Sequence, residues 1–265
     1  MIIERARIKS NCEVAHNIWE MHYEAPNIAN SYLGAGQFIN ILALDDWSHP
    51  LRRPMSIASV EDESVSIIYK IFGDVTKILA SQKEGETAEL MGPLGNTFSN
   101  WNNGSYPILI GGGVGLAPIL NLKKECTAKK VDHTMIIGAK SVNEHFIEHE
   151  PDENIYLTTD DGTIGDEGTV MEPLKRIIIE NKNPYLFACG PEPMLHAVRE
   201  FALKNNIPAQ LSVESYMGCG FGLCQGCVIQ RNDYEIRDHS YHEKYSLVCL
   251  DGPVYEAGDI SFGKS

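Results

Sequence analysis

Four of the seven cysteines in this chain crowd its last fifth, and their spacing limits what that segment can become. Met217-Gly218-Cys219-Gly220-Phe221-Gly222-Leu223-Cys224-Gln225-Gly226-Cys227 reads C-x4-C-x2-C, and Cys249 follows 22 residues after Cys227. This is the ligand spacing of a plant-type [2Fe-2S] cluster. Four thiolates have to converge on two irons, and the loop carrying three of them has to wrap closely around the bridging sulfides. Gly218, Gly220, Gly222 and Gly226 allow the backbone that such a wrap needs and bring N–H groups toward sulfur. Zinc is the competing metal. Structural zinc sites usually pair two C-x2-C knuckles, or one knuckle with a His pair. Here there is a single knuckle, and His239 and His242 complete a zinc site only if Cys219 or Cys249 is left out. Four unrelated buried thiols fit poorly with so many glycines. Cys12, Cys126 and Cys189 are scattered.

A length of 265 residues suggests two domains and a small appendage. Hydrophobic residues at 43% and charged residues at 22% belong to a chain that buries a core, which excludes a disordered or fibrous protein. Lys plus Arg number 22 against 36 Asp plus Glu, for a formal net charge of -14. Such a surface repels phosphate backbones, so no nucleic-acid partner is expected. No apolar stretch reaches the roughly 18 residues of a membrane span, so no membrane association is expected. The opening MIIERARIKS puts charges where a signal peptide needs an apolar core, which points to a cytoplasmic protein with reduced or metal-bound thiols.

The first hundred residues read as strands. Trp19, Met21 and Tyr23 alternate with Glu20, His22 and Glu24, the period of a half-buried strand. Gln37–Leu44, Val65–Phe72 and Thr87–Met91 are further strands, with one short helix at Val75–Gln82. Strands at this density predict a small antiparallel β-barrel or sandwich. The breaker-rich run from Gly92 to Gly104 marks a boundary, giving a first domain of residues 1–100. Beyond it, apolar runs at Pro107–Ile110, Met135–Gly138, Ile155–Thr158, Tyr185–Ala188 and Gln210–Val213 alternate with helical patterns at Ala117–Glu125, Met171–Glu180 and Pro193–Lys204. A weaker helical pattern covers Ser141–Glu150. This alternation predicts an α/β, Rossmann-like parallel-sheet domain over residues 101–213. Residues 214–265 hold the clustered cysteines and too little apolar material for a core of their own, so a cofactor or a neighbour has to hold them.

Three further motifs bear on ligands. In Arg52-Arg53-Pro54-Met55-Ser56, a forked Arg donor and a hydroxyl lie three residues apart on extended chain, suited to an anionic or polar-edged ligand. Gly111-Gly112-Gly113-Val114-Gly115 stands between the first strand of the parallel sheet and its helix, where glycine lets backbone approach a pyrophosphate. A tight turn is its structural alternative. Cys189-Gly190-Pro191-Glu192-Pro193-Met194 occupies another strand-to-helix junction of that sheet. His145-Phe146-Ile147-Glu148-His149 matches an inverted zinc-protease signature, H-x-x-E-H. A match of five residues is common by chance, and surface histidines are the better reading.

In this order the motifs resemble the ferredoxin reductase superfamily and, within it, the electron-transfer subunits of class 1B, NAD-dependent dihydroorotate dehydrogenases. The resemblance covers nearly the whole chain and includes Thr159-Asp160-Asp161-Gly162, Glu214-Ser215-Tyr216-Met217-Gly218-Cys219 and Val248-Cys249-Leu250-Asp251-Gly252-Pro253-Val254. It implies FAD on an antiparallel β-barrel, with Arg53, Pro54, Met55 and Ser56 at the flavin, Ile68, Tyr69 and Lys70 lining it, and Val75 and Thr76 at the pyrophosphate. It implies NAD(H) at Gly111, Gly112, Gly113, Gly115, Cys189, Gly190, Pro191, Glu192 and Met194, and a [2Fe-2S] cluster on Cys219, Cys224, Cys227 and Cys249 in a small C-terminal domain. Lys140, near the end of the second sheet strand, leaves the choice between NAD and NADP to the resemblance, which favours NAD. The implied partner is an FMN-containing dihydroorotate dehydrogenase catalytic subunit, in a heterotetramer of two plus two, for de novo pyrimidine biosynthesis. No catalytic residue for the organic substrate is expected on this chain. One departure stands out: relatives have Gly-x-Gly-Thr where this chain has Gly73-Asp74-Val75-Thr76, and a β-branched residue tolerates φ > 0 poorly. A flavin and iron–sulfur subunit serving ferredoxin, sulfur or a hydrogenase shares these motifs. A zinc-binding, nucleotide-sensing scaffold is the non-enzymatic alternative.

Overall fold

The computed structural model describes residues 1–44, 48–232 and 241–262. Its first part comprises β1 (Ile2–Ala15), β2 (Ile18–Glu24), α1 (Pro26–Ser31), β3 (Phe38–Leu42), β4 (Arg53–Glu61), β5 (Ser64–Lys70), α2 (Asp74–Ser81) and β6 (Thr87–Leu94). The strands close into an antiparallel barrel in the order β1-β2-β5-β4-β3-β6. Alternation explains the packing: Val65, Ile67 and Tyr69 on β5 and Ile39 and Ile41 on β3 share one core with Ala6, Ile8, Met21 and Leu90. β1 and β4 escape a reading by apolar runs. In β1 only Ala6 and Ile8 are buried, between charged neighbours, and β4 opens on Arg53-Pro54, a pair that otherwise signals a turn. α1 is a second short helix in this region, beside the one expected.

Val75 needs no glycine. It lies inside α2, is absent from the residues with positive φ, and buries its side chain in the barrel core. Gly73 is extended at φ -155, so the expected disturbance of this loop does not arise. Thr76 Oγ1 accepts hydrogen bonds from the backbone N–H of Phe72 (2.9 Å) and Gly73 (3.1 Å), which ties the turn to the helix start.

The second part comprises β7 (Tyr106–Gly112), α3 (Leu116–Ala128), β8 (Thr134–Ala139), β9 (Ile155–Thr159), β10 (Asp166–Glu167), α4 (Met171–Glu180), β11 (Pro184–Cys189), α5 (Glu192–Asn205) and β12 (Ala209–Ser212). The tail adds β13 (Val228–Arg231), α6 (Tyr241–Lys244), β14 (Tyr245–Leu247), β15 (Val254–Glu256) and β16 (Ile260–Ser261). The main sheet runs β10-β9-β8-β7-β11-β12-β15, parallel throughout except for β15, which pairs antiparallel with β12. The helical expectation for Ser141–Glu150 is not met: only a 3-10 turn at Val142–Glu144 forms. The two histidines explain why. The His145 Nε2–H donates to Thr158 O (3.1 Å) and His149 Nδ1 accepts from Leu157 N–H (3.0 Å), so both dock on β9 instead of sharing a helix face. They are half-buried, not surface residues.

The tail has no core of its own. Cys227, Leu247, Val248, Cys249 and Ile260 join one apolar cluster with Phe38, Met91 and Leu94 of the barrel and Ile108, Leu186 and Leu211 of the sheet. The breaker-rich joint after β6 receives the tail: Asn96 Nδ2 donates to Asp251 O (2.9 Å) and Val254 O (2.8 Å), and Asn96 Oδ1 accepts from Val254 N–H (2.9 Å). Gly95 lies at φ +75, and a Cβ there would meet Pro253 Cδ at 2.6 Å. A short antiparallel sheet, β14-β13-β16, completes the tail.

Val75→Gly removes a buried side chain and places glycine in a helix. It should cost about 2–3 kcal/mol of stability in urea denaturation. Unchanged stability would contradict the placement of Val75 in the barrel core.

Candidate functional site

The strand order reverses between β7 and β11, all running parallel: β8 lies on one side of β7, while β11 and β12 lie on the other. Open parallel sheets bind ligands at such a switch point, beyond the carboxyl ends of the strands. Gly111, Gly112, Gly113 and Gly115 leave β7 there, and Cys189, Gly190, Pro191, Glu192 and Met194 leave β11 beside them. The two turns touch. A Cβ on Gly115 would lie 2.4 Å from Gly190 N, and one on Gly112 would lie 2.5 Å from Met194 Sδ. Glycine at 115 is therefore required by close packing of the turn backbones, whereas at 112 the Met194 side chain can give way. Pro191 and Glu192 are exposed, whereas Cys189 is buried. Burial pushes the Cys189 thiol above its ordinary pKa, which leaves it protonated.

Strand alternation divides the residues expected at the flavin. Met55 and Tyr69 pack toward the barrel core, and the Tyr69 hydroxyl donates to Asn11 Oδ1 (2.9 Å). Pro54, Ser56, Ile68 and Lys70 occupy the alternate positions on the outer side of β4 and β5, where Ile68 packs with Ala58 against Ala117 of α3. A ligand laid on this outer face meets the side chains of Ser56 and Lys70, and Tyr69 by its backbone. Arg53 Nη1 donates to Leu51 O (3.0 Å), whereas the neighbouring Arg52 is paired with Glu89. Thr76 stands at the start of α2, where the helix dipole favours an anion.

The barrel and the sheet are fastened through α3, the helix that leaves the glycine turn. Asn121, buried, donates through Nδ2 to Ile57 O (3.0 Å), the residue after Ser56. Glu125 Oε1 accepts from the Tyr32 hydroxyl (3.0 Å) and from Ala35 N–H (2.7 Å), and burial raises its carboxyl above the usual range. Lys70 Nζ pairs with Glu144 (2.7 Å), and Lys124 with Glu61 (2.8 Å). The two expected ligand faces thus share one rigid element. Asn121 and Glu125 went unread in the sequence because a polar residue on an amphipathic helix normally faces water.

The four clustered cysteines come together, and they do so in two pairs. Cys219 N–H donates to Cys224 Sγ (3.4 Å) and Cys224 N–H to Cys219 Sγ (3.3 Å). Cys249 N–H donates to Cys227 Sγ (3.4 Å), while Gly222 N–H reaches across to Cys249 Sγ (3.2 Å). Among the described residues no three His, Cys, Asp or Glu side chains converge on a single ion position. Two thiol pairs linked by one loop suit a dinuclear centre with two protein ligands per iron better than one tetrahedral zinc. The loop leaves room for it: Gly220 and Gly222 lie at φ +79 and +87, and a Cβ on Gly218 would come within 3.3 Å of Cys224 Sγ. His239 and the side chain of His242, needed for the zinc alternative, lie outside the described residues. Burial raises the Cys219 thiol, but hydrogen bonds from Cys224, Phe221 and Leu223 outweigh it and bring the group down to about 7. Burial, with Cys227 beside it, pushes Cys249 up to about 12.

A cleft of about 700 Å³ opens where barrel, sheet and tail meet. Phe72, Gly190, Glu192, Glu214 and Tyr216 lie on its walls. Phe72 is 96% exposed and Tyr216 97% exposed, so two bare aromatic rings border a space of nucleotide size. The sequence reading gave neither a ligand role: Tyr216 entered only within the Glu214–Cys219 stretch and Phe72 only as the end of a strand.

Residues 214–261 match the family model of the iron-sulfur cluster binding domain of dihydroorotate dehydrogenase B. The electron transfer subunit of NAD(+)-dependent dihydroorotate dehydrogenase B from Bacillus pumilus is 34% identical, with 96% of both chains aligned. The subunit of the same name from Fusobacterium nucleatum is 32% identical over 98% of this chain and 99% of its own. Among solved structures, the chain is similar to one of the NADH-dependent reduced ferredoxin-NADP oxidoreductase, with a TM-score of 0.80, 23% identity, and coverage of 97% of this chain and 89% of that one. It is also similar to a ferredoxin NADP+ reductase from Neisseria gonorrhoeae with bound FAD and NADP, with a TM-score of 0.63, 16% identity, and coverage of 76% and 91%. These two likenesses establish the fold, in agreement with the barrel and Rossmann-like sheet expected from the sequence.

In metal-free protein, alkylation of Cys219 by iodoacetamide should accelerate as pH rises through about 7, because its thiolate then forms, while Cys249, at about 12, stays slow. Peptide mass spectrometry reads both sites. Equal rates at neutral pH would contradict the described hydrogen-bond environment.

Proposed function

This chain belongs to the family of NAD(+)-dependent dihydroorotate dehydrogenase B electron transfer subunits, and from that premise we propose that it carries electrons between an FMN-containing dihydroorotate dehydrogenase subunit and NAD+ in de novo pyrimidine biosynthesis. The observation that carries the reading is the pairing of Cys219 with Cys224 on the glycine-rich loop and of Cys227, which ends that loop, with Cys249 beyond β14, all packed against the barrel. When bound, FAD exchanges electrons in pairs with a nicotinamide and singly with an iron–sulfur centre, which supplies the conversion this role needs.

The chain's residues have distinct tasks in this reading. Cys219 and Cys224 hold one iron of a [2Fe-2S] cluster and Cys227 and Cys249 the other, with backbone N–H groups directed at sulfur. The outer face of β4 and β5 carries the flavin, where Ser56 offers a hydroxyl to the ring, Arg53 and Lys70 offer cations, and the α2 start with Thr76 takes the pyrophosphate. The turns at Gly111–Gly115 and Cys189–Met194 receive NAD(H), and the cleft between Phe72 and Tyr216 leads toward the flavin face. α3 fixes the separation of the two sites, because Asn121 binds the strand that holds Ser56.

Dihydroorotate is oxidised on the partner in this reading, as befits the electron transfer subunit the relatives are named for. The partner sits on the cluster loop: Cys224 is exposed while Cys227 and Cys249 are buried, and Phe221, Leu223 and Leu250 stand exposed around it. Apolar side chains grouped at an open thiolate pair suit a permanent subunit interface, and two such pairs give a heterotetramer. Among the described residues no helix is long and apolar enough to cross a membrane. A cytoplasmic location agrees with the thiol ligands, which survive in a reducing compartment.

Co-expression with an FMN-containing catalytic subunit tests this reading. Dihydroorotate-dependent NAD+ reduction should require both chains, and Cys224→Ser should lower it to background while leaving NADH-to-FAD hydride exchange intact. Loss of both reactions would mean that the metal is structural, and turnover of dihydroorotate by this chain alone would overturn the assignment. Leu223→Asp should weaken subunit association by about tenfold or more in a pulldown titration. Unchanged association would move the interface elsewhere.

A further inference from the structure

We infer that Asn40, a barrel residue, is a positioning residue of the iron–sulfur site that donates through its side-chain amide into the ligand loop and raises the reduction potential there. This rests on the reading of the four cysteines as cluster ligands. Asn40 interrupts the apolar strand Phe38–Leu42, is 1% exposed, and leaves its Oδ1 without a hydrogen-bond partner. A buried amide among Phe38 and Met91 is costly, and such a group in a folded protein calls for a functional explanation.

Its position supplies one. Ile39 and Ile41 point into the barrel core, so Asn40 points out of it. A register shift in the β3–β6 pairing falls between Phe38 and Asn40, and irregularities of this kind re-aim side chains. The amide is aimed at the cluster loop: a Cβ on Gly220 would lie 1.8 Å from Asn40 Nδ2, nearer than any side chain allows. Gly220, at φ +79, immediately follows Cys219. On the other side, Asn40 is the cross-strand partner of Pro54, within the strand assigned to the flavin. One amide therefore meets Gly220, the residue after the first cysteine of the loop, from the strand that pairs with the one carrying Arg53 to Ser56. An N–H donor beside sulfur ligands favours the reduced, more negative state.

The test uses the full chain with iron, sulfide and FAD restored, titrated against potential with electron paramagnetic resonance as the readout. Asn40→Leu keeps the volume and removes the donor. It should bind FAD and iron as wild type does, with a midpoint lower by about 59 mV, a tenfold change in a one-electron equilibrium. An unchanged midpoint with the cluster present overturns the role of Asn40 and leaves the ligand reading intact. A wild-type chain that takes up no iron overturns the ligand reading and this inference with it. Where Asn40→Leu does not fold, Asn40→Ala removes the donor without adding bulk. Its midpoint should fall likewise, and a wild-type value with the cluster present would overturn the inference.

Discussion

A loop of alternating glycines brings three thiols to meet a fourth, Cys249, in two pairs, and the tail could not hold that loop in place by itself. Residues beyond Val213 contribute β15 to the main sheet and Cys227, Leu247, Val248 and Cys249 to a core shared with the barrel and the sheet. The polar joint at Gly95 and Asn96 fixes the chain just after Cys249. The ligand loop is thus pressed on the barrel at Gly220, whose left-handed φ and closeness to Asn40 favour glycine. Docking of the tail and placement of the thiols are one event.

The same economy of contacts governs the other two ligand faces. α3 begins at the glycine turn of β7, packs against the outer face of β4 and β5, and is bound to the barrel by Asn121 at Ile57 of β4 and by Glu125 at Tyr32 and Ala35 before β3. Asn121 and Glu125 are each satisfied by backbone or hydroxyl from the barrel, so separating barrel from sheet would leave both unpaired. A rigid joint suits electron transfer, whose rate depends on fixed distances between centres. The cleft bordered by Phe72 and Tyr216 is the part left open.

Much of this was legible in the residues. The strand and helix alternation after Tyr106 and the β-rich start gave the architecture, because period-two and period-3.6 burial leave clear marks. C-x4-C-x2-C with interleaved glycine identified the metal segment, since few other needs require both. The failures have physical causes. β1 sets charged residues beside its two buried ones and β4 opens on Arg53-Pro54, Ser141–Glu150 loses its helix to histidines that bond β9, and Val75 lies in a helix where a glycine-type turn was expected. Asn40 did leave a trace, as the one polar residue in Phe38-Ile39-Asn40-Ile41-Leu42, but a trace of that size gains meaning only when Gly220 is seen beside it.

The pairing of thiols around two irons is tested most directly by reducing the iron- and sulfide-restored chain with dithionite and recording its electron paramagnetic resonance spectrum. The account predicts a spin-half signal of about one spin per chain, as a reduced dinuclear cluster gives. A colourless, silent protein holding zinc on the same cysteines would contradict it.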